Sequence, residues 1–270
     1  MARGVLEEIV AQKRVDVAES RSRLPDAVLR SLVQEMPTPR SLTTALESGQ
    51  GPRVIAEIKR ASPSKGVLRA DLKPFEWDPL SIMRGYEKAG AAALSVLTDV
   101  RYFWGQPELV SAAKGAVSIP ILRKDFVIDP WQVLESRWLG ADAVLLLVRS
   151  HTEQSLHDCF GLARELGMDV LVEVHADEEL ESALALPGAI IGINHRDLST
   201  LILDPERALT LRPRIPQDRL AVAESGISCR QDLQRLVKGG FGALLIGGHL
   251  SAAPDPGEAL AELLSEDRRD

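Results

Sequence analysis

Residues 54–66 read VIAEIKRASPSKG and form the first of the strand-and-turn segments that predict the fold of the chain. Its apolar run predicts a buried β-strand that ends with a glutamate and a lysine two positions apart. Side chains at that spacing share one face of a strand, so Glu57 and Lys59 should point in the same direction. Burying a carboxylate and an ammonium is costly unless they pair or take part in chemistry. The stretch therefore predicts either an ion pair that caps a strand or one part of a functional site.

Seven more apolar runs follow, and a polar turn with a segment of helical spacing separates each run from the next. The eight predicted strands are 54–59, 93–98, 119–124, 143–148, 170–174, 189–194, 220–224 and 243–247. A strand-then-helix repeat requires a parallel sheet with helices outside it. Eight repeats predict an α/β fold of the (β/α)8 TIM barrel type rather than an open doubly wound sheet. The first turn, KRASPSKG, also lacks the GxGxxG pattern of a dinucleotide-binding sheet.

The first 50 residues lie outside this repeat. The stretches VLEEIVAQKRVDVAES and SLTTALES predict amphipathic helices on either side of a connector, MPTPR, that contains proline. We expect one domain of residues 1–270, in which residues 1–50 form an N-terminal helical extension packed on the barrel.

The composition limits the classes of protein to which the chain can belong. The chain has 270 residues, 45% of them apolar, and a formal net charge of −7, which argues against broad binding to nucleic acid. It shows no metal or disulfide spacing of its two cysteines, no signal peptide and no apolar segment long enough to span a membrane. These features predict a cytoplasmic protein without a membrane partner, as a monomer or a homodimer.

Polar side chains end most of the predicted strands, and the C-terminal ends of the strands form the active-site face of a TIM barrel. These residues are Glu57 and Lys59 on the first strand, Lys124 on the third, Glu173 on the fifth, Asn194 and Arg196 on the sixth, and Glu224 and Ser225 on the seventh. A solvated rim does not need charges on the inward-facing positions of buried strands. We therefore predict a catalytic or ligand-binding role for the two lysines together with the glutamates of the first and fifth strands.

Glycine turns follow the last two strands, as ESGIS and IGGHLS. Loops at these places in the barrel commonly hold phosphate through backbone N–H groups, although glycines can also serve tight turns alone. The phosphate candidates are Ser225, Gly226, Gly247 and Gly248, with Lys59 and Ser62 contributing from the first loop. The residues thus predict a phosphorylated small-molecule substrate and acid–base or carbonyl chemistry.

Taken together, these motifs resemble the indole-3-glycerol phosphate synthase family of tryptophan biosynthesis. The matching strings are VLEEIVAQKR, AEIKRASPSKG, SVLTD, ILRKDF with IDP, GADAVLLLV, LVEVH, GIN followed by RDL, and AESGI. The resemblance implies a carbon–carbon carboxy-lyase that needs no cofactor and no metal. Its reaction would convert 1-(2-carboxyphenylamino)-1-deoxyribulose 5-phosphate into indole-3-glycerol phosphate with loss of carbon dioxide and water.

The resemblance also implies roles for individual residues. Lys124 matches the general acid of ring closure, and Glu173 would orient its ammonium and stabilise positive charge on the anilino nitrogen. Glu57 and Lys59 match the base and the acid of the dehydration step, while Asn194 completes the catalytic set. The remaining polar substrate contacts would be Arg196, Glu224 and Ser225, and the expected aryl-pocket residues are Phe103, Phe126 and Leu145.

The sequence departs from the usual family pattern at three places. His195 stands where a second asparagine is usual, Trp104 where a small residue is usual, and Gly248 with His249 where glutamate or serine precedes a small residue. We expect these changes to affect the phosphate loop and the shape of the aryl pocket.

Three other functions remain open at this point. A lysine in an apolar barrel could form a Schiff base with a phosphosugar, as in an aldolase. His175, His195 and His249 near strand ends could indicate a metal-dependent hydrolase, although nearby lysines would repel a cation. A barrel that binds a phosphorylated ligand without catalysis is the third alternative.

Overall fold

In the computed structural model, which describes residues 4–49, 51–73, 76–198 and 200–265, eight parallel strands close into a barrel. The parts of the predicted domain outside these ranges, including residues 1–3 and 50 of the extension, are not described. The strands are β1 Arg53–Ile58, β2 Ala93–Leu97, β3 Ile121–Lys124, β4 Ala143–Leu147, β5 Asp169–Val174, β6 Ile190–Asn194, β7 Ala221–Glu224 and β8 Ala243–Ile246. Each pairs with its neighbour in sequence, and β8 pairs with β1 to close the barrel. The predicted (β/α)8 fold is confirmed, with every strand boundary within two residues of its predicted position.

Helices surround the barrel and extend it at the N-terminus. They are α1 Val5–Arg23, α2 Asp26–Gln34, α3 Leu42–Glu47, α4 Pro79–Lys88, α5 Val100–Phe103, α6 Glu108–Ala116, α7 Pro130–Trp138, α8 Glu153–Glu165, α9 Asp177–Leu184, α10 Arg207–Leu211, α11 Arg230–Lys238 and α12 Pro256–Leu264. Asp78, Asp129 and Asp255 each accept a hydrogen bond from a first-turn N–H, and proline occupies the first helical position after each. This local sequence fixes where α4, α7 and α12 begin.

Two apolar cores lie on the two faces of the sheet. Val54, Ala56 and Ile58 of β1 pack outward against the helices, whereas Ile55 packs inside the barrel. Side chains alternate along a strand, so Glu57 continues the inward row that begins with Ile55. The alternation explains why the charged end of this strand points into the barrel mouth.

Helix α1 of the N-terminal extension lies against the barrel mouth. The ammonium of Lys13 is buried and lies 3.0 Å from Asp99 Oδ2 and 2.8 Å from Asp125 Oδ1. Asp99 lies two residues after the end of β2 and Asp125 directly follows β3. Leu6 and Ile9 of the same helix join the inner core. Burial of an ion pair requires such close partners, so Lys13 fixes the position of the helix on the barrel.

The connector after α2 is held at the opposite end of the barrel by a buried carboxylate. Asp142 precedes β4, and its side chain accepts hydrogen bonds from the backbone N–H groups of Arg40, at 2.7 Å, and Ile121, at 3.0 Å. The ammonium of Lys114 pairs with the same carboxylate. Leu42 then enters the inner core beneath the strands. The extension therefore runs from the mouth of the barrel to its base.

We predict that Asp142→Ala lowers the free energy of unfolding by about 3–5 kcal/mol, because it leaves the partly buried ammonium of Lys114 and two backbone N–H groups without their acceptor. Urea denaturation followed by circular dichroism measures the change. The control, Asp218→Ala on the exposed surface, should stay within about 0.5 kcal/mol of the wild type. Equal stability of the two variants would contradict the role given to Asp142.

Candidate active site

A cavity of about 710 Å³ lies at the C-terminal ends of the strands. Its wall contains every residue that the sequence predicts for the site: Glu57, Lys59, Ser62, Phe103, Lys124, Phe126, Leu145, Glu173, Asn194, Arg196, Glu224, Ser225, Gly226, Gly247 and Gly248. These residues come together because the parallel strands all end at one face of the barrel, and the loops that follow the strands start there.

The first lysine–glutamate pair joins β3 to β5. Lys124 Nζ lies 2.7 Å from Glu173 Oε2, and Asn194 Nδ2 donates to Glu173 Oε1 at 2.9 Å. Asn194 Oδ1 in turn accepts from the backbone N–H of Arg196. His175 Nε2 is a further close neighbour, 2.9 Å from Glu173 Oε1. Two hydrogen bonds therefore hold the carboxylate, one on each oxygen, whereas His175 Nε2 is close to it without forming a hydrogen bond in the described part of the chain.

Charge in this cluster is set by a competition between burial and the neighbouring ions. Burial would raise the pKa of Glu173, but the ammonium of Lys124 and the nearby His175 hold this pKa well below its usual range. Burial would lower the pKa of Lys124, but Glu173, Glu224 and Glu57 raise it well above its usual value. Lys124 therefore carries its proton and can act as a donor.

Glu224 differs from its neighbours because neither of its buried oxygens has a hydrogen-bond partner in the described part of the chain. Oε2 lies 3.4 Å from Lys124 Nζ, and a Cβ atom at Gly192 would overlap Oε1. Burial first, and then the negative charge of Glu173, raise the pKa of Glu224 well above its usual range. The site thus favours a protonated carboxyl group beside a charged lysine.

The second pair lies at the end of β1. Lys59 Nζ is 2.5 Å from Glu57 Oε1, and the Glu57 side chain is buried. A Cβ atom at Gly247, at the end of β8, would overlap this carboxylate. Glu57 and Lys59 therefore form the ion pair that was one of the two alternatives, and both side chains line the cavity. Their part in a functional site stays a prediction.

The apolar part of the wall extends beyond the predicted aryl pocket. The rings of Phe103 and Phe126 have their centroids 6.1 Å apart, and Leu145 lies in the same wall. Sequence reasoning missed Val5 and Ile9, which line the cavity from α1 with the i, i+4 spacing of one helix face.

A charged residue was also missed. Lys65 lies in the SPSKG loop and lines the cavity, with its ammonium close to Gly248 across the mouth. The sequence did contain a signal for Lys65, because the residue lies in the same loop as Ser62, which was already assigned to the site.

The three departures from the family pattern have different positions. Gly248 and His249 lie in the cavity wall, as expected for the phosphate loop. Trp104 is half exposed, adopts a left-handed backbone with φ of 53° and is not among the wall residues. His195 is buried behind the wall. The Trp104 side chain is thus not part of the cavity wall, although the residue directly follows Phe103, which is. The effect of the three departures on the phosphate loop and the aryl pocket stays a prediction.

The residues that the structure describes contain no group of three or more histidine, cysteine, aspartate or glutamate side chains placed to hold a metal ion. None of the helices there combines the length and the apolar character needed to cross a bilayer.

Comparison with solved structures shows similarity to 3-hexulose-6-phosphate synthase from Salmonella typhimurium, with 12% identity and a TM-score of 0.60 over 78% of this chain and 98% of that one. Phosphoribosylanthranilate isomerase from Thermotoga maritima has 15% identity and a TM-score of 0.55 over 78% and 96%. Orotidine 5'-phosphate decarboxylase from Pyrococcus horikoshii OT3 has 15% identity and a TM-score of 0.55, over 68% of this chain and 90% of that one. At these identities the likeness shows the barrel fold alone.

Comparison with protein families is more specific. Residues 6–263 match the family described as indole-3-glycerol phosphate synthase. The matched range includes all of α1 except Val5, all eight strands and every residue predicted for the site. The chain therefore belongs to the indole-3-glycerol phosphate synthase family, whose members are carboxy-lyases of tryptophan biosynthesis.

Proposed function

We propose that this cavity converts 1-(2-carboxyphenylamino)-1-deoxyribulose 5-phosphate into indole-3-glycerol phosphate through two separate lysine–glutamate pairs. The observation that carries the proposal is that Lys124 with Glu173 and Lys59 with Glu57 line one cavity, next to an apolar pocket for an aryl ring. Ring closure and dehydration each need a proton donor with a nearby carboxylate, and two pairs meet both needs.

Ring closure is the step assigned to the first pair. An aryl carbon forms a bond to the ketone carbon, and the carbonyl electron pair moves to the oxygen, which takes a proton from the ammonium of Lys124. Positive charge develops on the anilino nitrogen, and the carboxylate of Glu173 stabilises it. The low pKa of Glu173 supports this role, because the group remains an anion at neutral pH.

Decarboxylation follows without a cofactor. The bond between the ring and the carboxylate breaks, its electron pair restores the aromatic system, and the positive charge on nitrogen disappears. The step converts separated charges into neutral products, so apolar surroundings such as Phe126 and Leu145 favour it.

Dehydration is assigned to the second pair. Lys59 gives a proton to the departing hydroxyl group, and Glu57 accepts a proton from the ring system as the double bond forms. The 2.5 Å contact between the two side chains then allows the proton to return from Glu57 to Lys59. The pair is thereby restored for the next turnover.

The phosphate group of the substrate is assigned to the loops after β7 and β8. Ser225 and Gly226 lie in the cavity wall at the first loop, and Gly247 and Gly248 at the second. Ser62 and Arg196 add a hydroxyl group and a cation near the same rim.

A cytoplasmic location and a monomeric or homodimeric state remain predictions.

The aldolase alternative conflicts with the charge of the lysine. A Schiff base needs an uncharged amine, whereas the carboxylates around Lys124 raise its pKa and keep it protonated. A barrel that only binds a ligand would not require two buried acid–base pairs.

Mixing the purified protein with the carboxyphenylamino-deoxyribulose phosphate should produce the fluorescence of an indole, and Lys124→Ala should lower kcat by about 10²–10⁴-fold because the ring-closure acid is lost. The control is Lys88→Ala, on the exposed face of α4. No product from the wild type would overturn the function, and normal turnover by Lys124→Ala would overturn only the mechanism. Borohydride trapping of substrate on either lysine would favour the aldolase alternative.

Glu57→Gln should lower kcat by at least about 100-fold while changing KM little, because it removes the base of the last step and keeps the shape of the side chain. In a single turnover, mass spectrometry should detect the ring-closed, decarboxylated intermediate that still contains the hydroxyl group. Glu165→Gln, an exposed change on α8, is the control. Loss of substrate binding with an unchanged chemical step would contradict the assignment.

A further inference from the structure

The turn that follows β7 has an unusual backbone. Ser225 has φ of 69° and Gly226 has φ of 75°, so two consecutive residues occupy the left-handed region. Glycine enters this region freely, but serine does so only where its surroundings hold it there. Ser225 therefore requires an identifiable restraint.

His195 supplies that restraint from the neighbouring strand end. Its ring Nδ1 lies 2.8 Å from the backbone oxygen of Ser225, and its backbone N–H donates to the oxygen of Glu224 at 2.9 Å. A carbonyl oxygen can only accept, so Nδ1 must carry the ring proton in this contact. Two successive carbonyl groups at the end of β7 are thus held by one residue.

The rest of the imidazole makes no polar contact that could explain its presence. The residue is 3% exposed, and Nε2 has no hydrogen-bond partner within the described ranges. Burial lowers the pKa of His195, and the cations of Arg207 and Arg235 add to the effect against the opposing Ser225 oxygen and Asp204. The ring is therefore neutral at neutral pH, and its polar function is confined to Nδ1.

The position of the Ser225 oxygen determines where the next N–H points. A trans peptide is planar, so the Ser225 C=O and the Gly226 N–H lie in one plane and point in opposite directions. The oxygen faces His195 behind the cavity wall, whereas Ser225 and Gly226 themselves line the cavity. No backbone hydrogen bond of the described residues uses the Gly226 N–H. This donor is left available on the cavity side.

We propose that His195 is a positioning residue for phosphate binding: by holding the Ser225 carbonyl, it directs the Gly226 N–H toward the phosphate group of the substrate. The inference rests on the phosphate position given under the proposed function. It assigns a task to a residue that touches neither the substrate nor the reacting atoms.

The chemistry of the side chain supplies matched variants. The Nδ2 of asparagine is separated from the backbone by as many bonds as the Nδ1 of histidine, so His195→Asn can keep the hydrogen bond. In His195→Gln the donor moves one bond further out, and His195→Phe has no donor. His157→Phe, on the exposed face of α8, is the control for an unrelated histidine.

The first experiment measures steady-state kinetics and the Kd of inorganic phosphate, from the shift of the Gly226 amide signal in ¹H–¹⁵N spectra. The Phe and Gln variants should raise KM and the phosphate Kd about tenfold, the scale for weakening one hydrogen bond to an anion, with kcat unchanged. The Asn variant and His157→Phe should stay within about twofold of the wild type. If His195→Phe does not fold, the test rests on His195→Asn and His195→Gln, of which only the Gln variant should raise KM and the phosphate Kd.

The second experiment reads the tautomer of His195 in the wild type from long-range ¹H–¹⁵N couplings, which should show the proton on Nδ1. A proton on Nε2, or equal phosphate binding by the Asn, Gln and Phe variants, would overturn the inference while leaving the proposed function intact. If phosphate does not shift the Gly226 signal of the wild type, the assumed phosphate position fails, and the inference fails with it.

Discussion

The ion pair between Lys124 and Glu173 is the interaction on which the rest of the site depends. A buried carboxylate needs a compensating positive charge and hydrogen bonds, and Lys124 and Asn194 supply them from two other strands. Lys124 also faces Glu224, whose pKa is raised well above its usual range by burial and by the negative charge of Glu173. One lysine therefore contacts two glutamates whose pKa values shift in opposite directions, and closure of the barrel brings all three together.

Space for these charged groups is created by missing side chains. Gly192 leaves room for the carboxyl group of Glu224, and Gly247 leaves room for that of Glu57. Both glycines lie at or near strand ends, where a Cβ atom would displace a functional group rather than a solvent molecule. The chemistry of the mouth thus constrains residues that take no part in it.

The extension and the barrel are coupled through charge as well as through apolar packing. Lys13 binds Asp125, the residue directly after Lys124, while Ile9 of the same helix lines the cavity. At the base, Asp142 secures the connector. A helix fixed at this position closes one side of the cavity with apolar surface, and its position depends on the same strand end that carries the proton donor.

The barrel and the set of residues at its mouth can be predicted from the sequence, because both follow from short-range patterns. An alternation of two places Glu57 inward, a strand-then-helix repeat gives parallel strands, and parallel strands end at one face. The contacts between distant segments, such as Lys13 with Asp125 and His195 with Ser225, arise only in the folded chain. The same is true of the raised pKa of Glu224 and of the position of Trp104, which is not among the residues of the cavity wall. Such contacts and charges depend on distances and burial set by closure of the whole barrel, and no local pattern contains them.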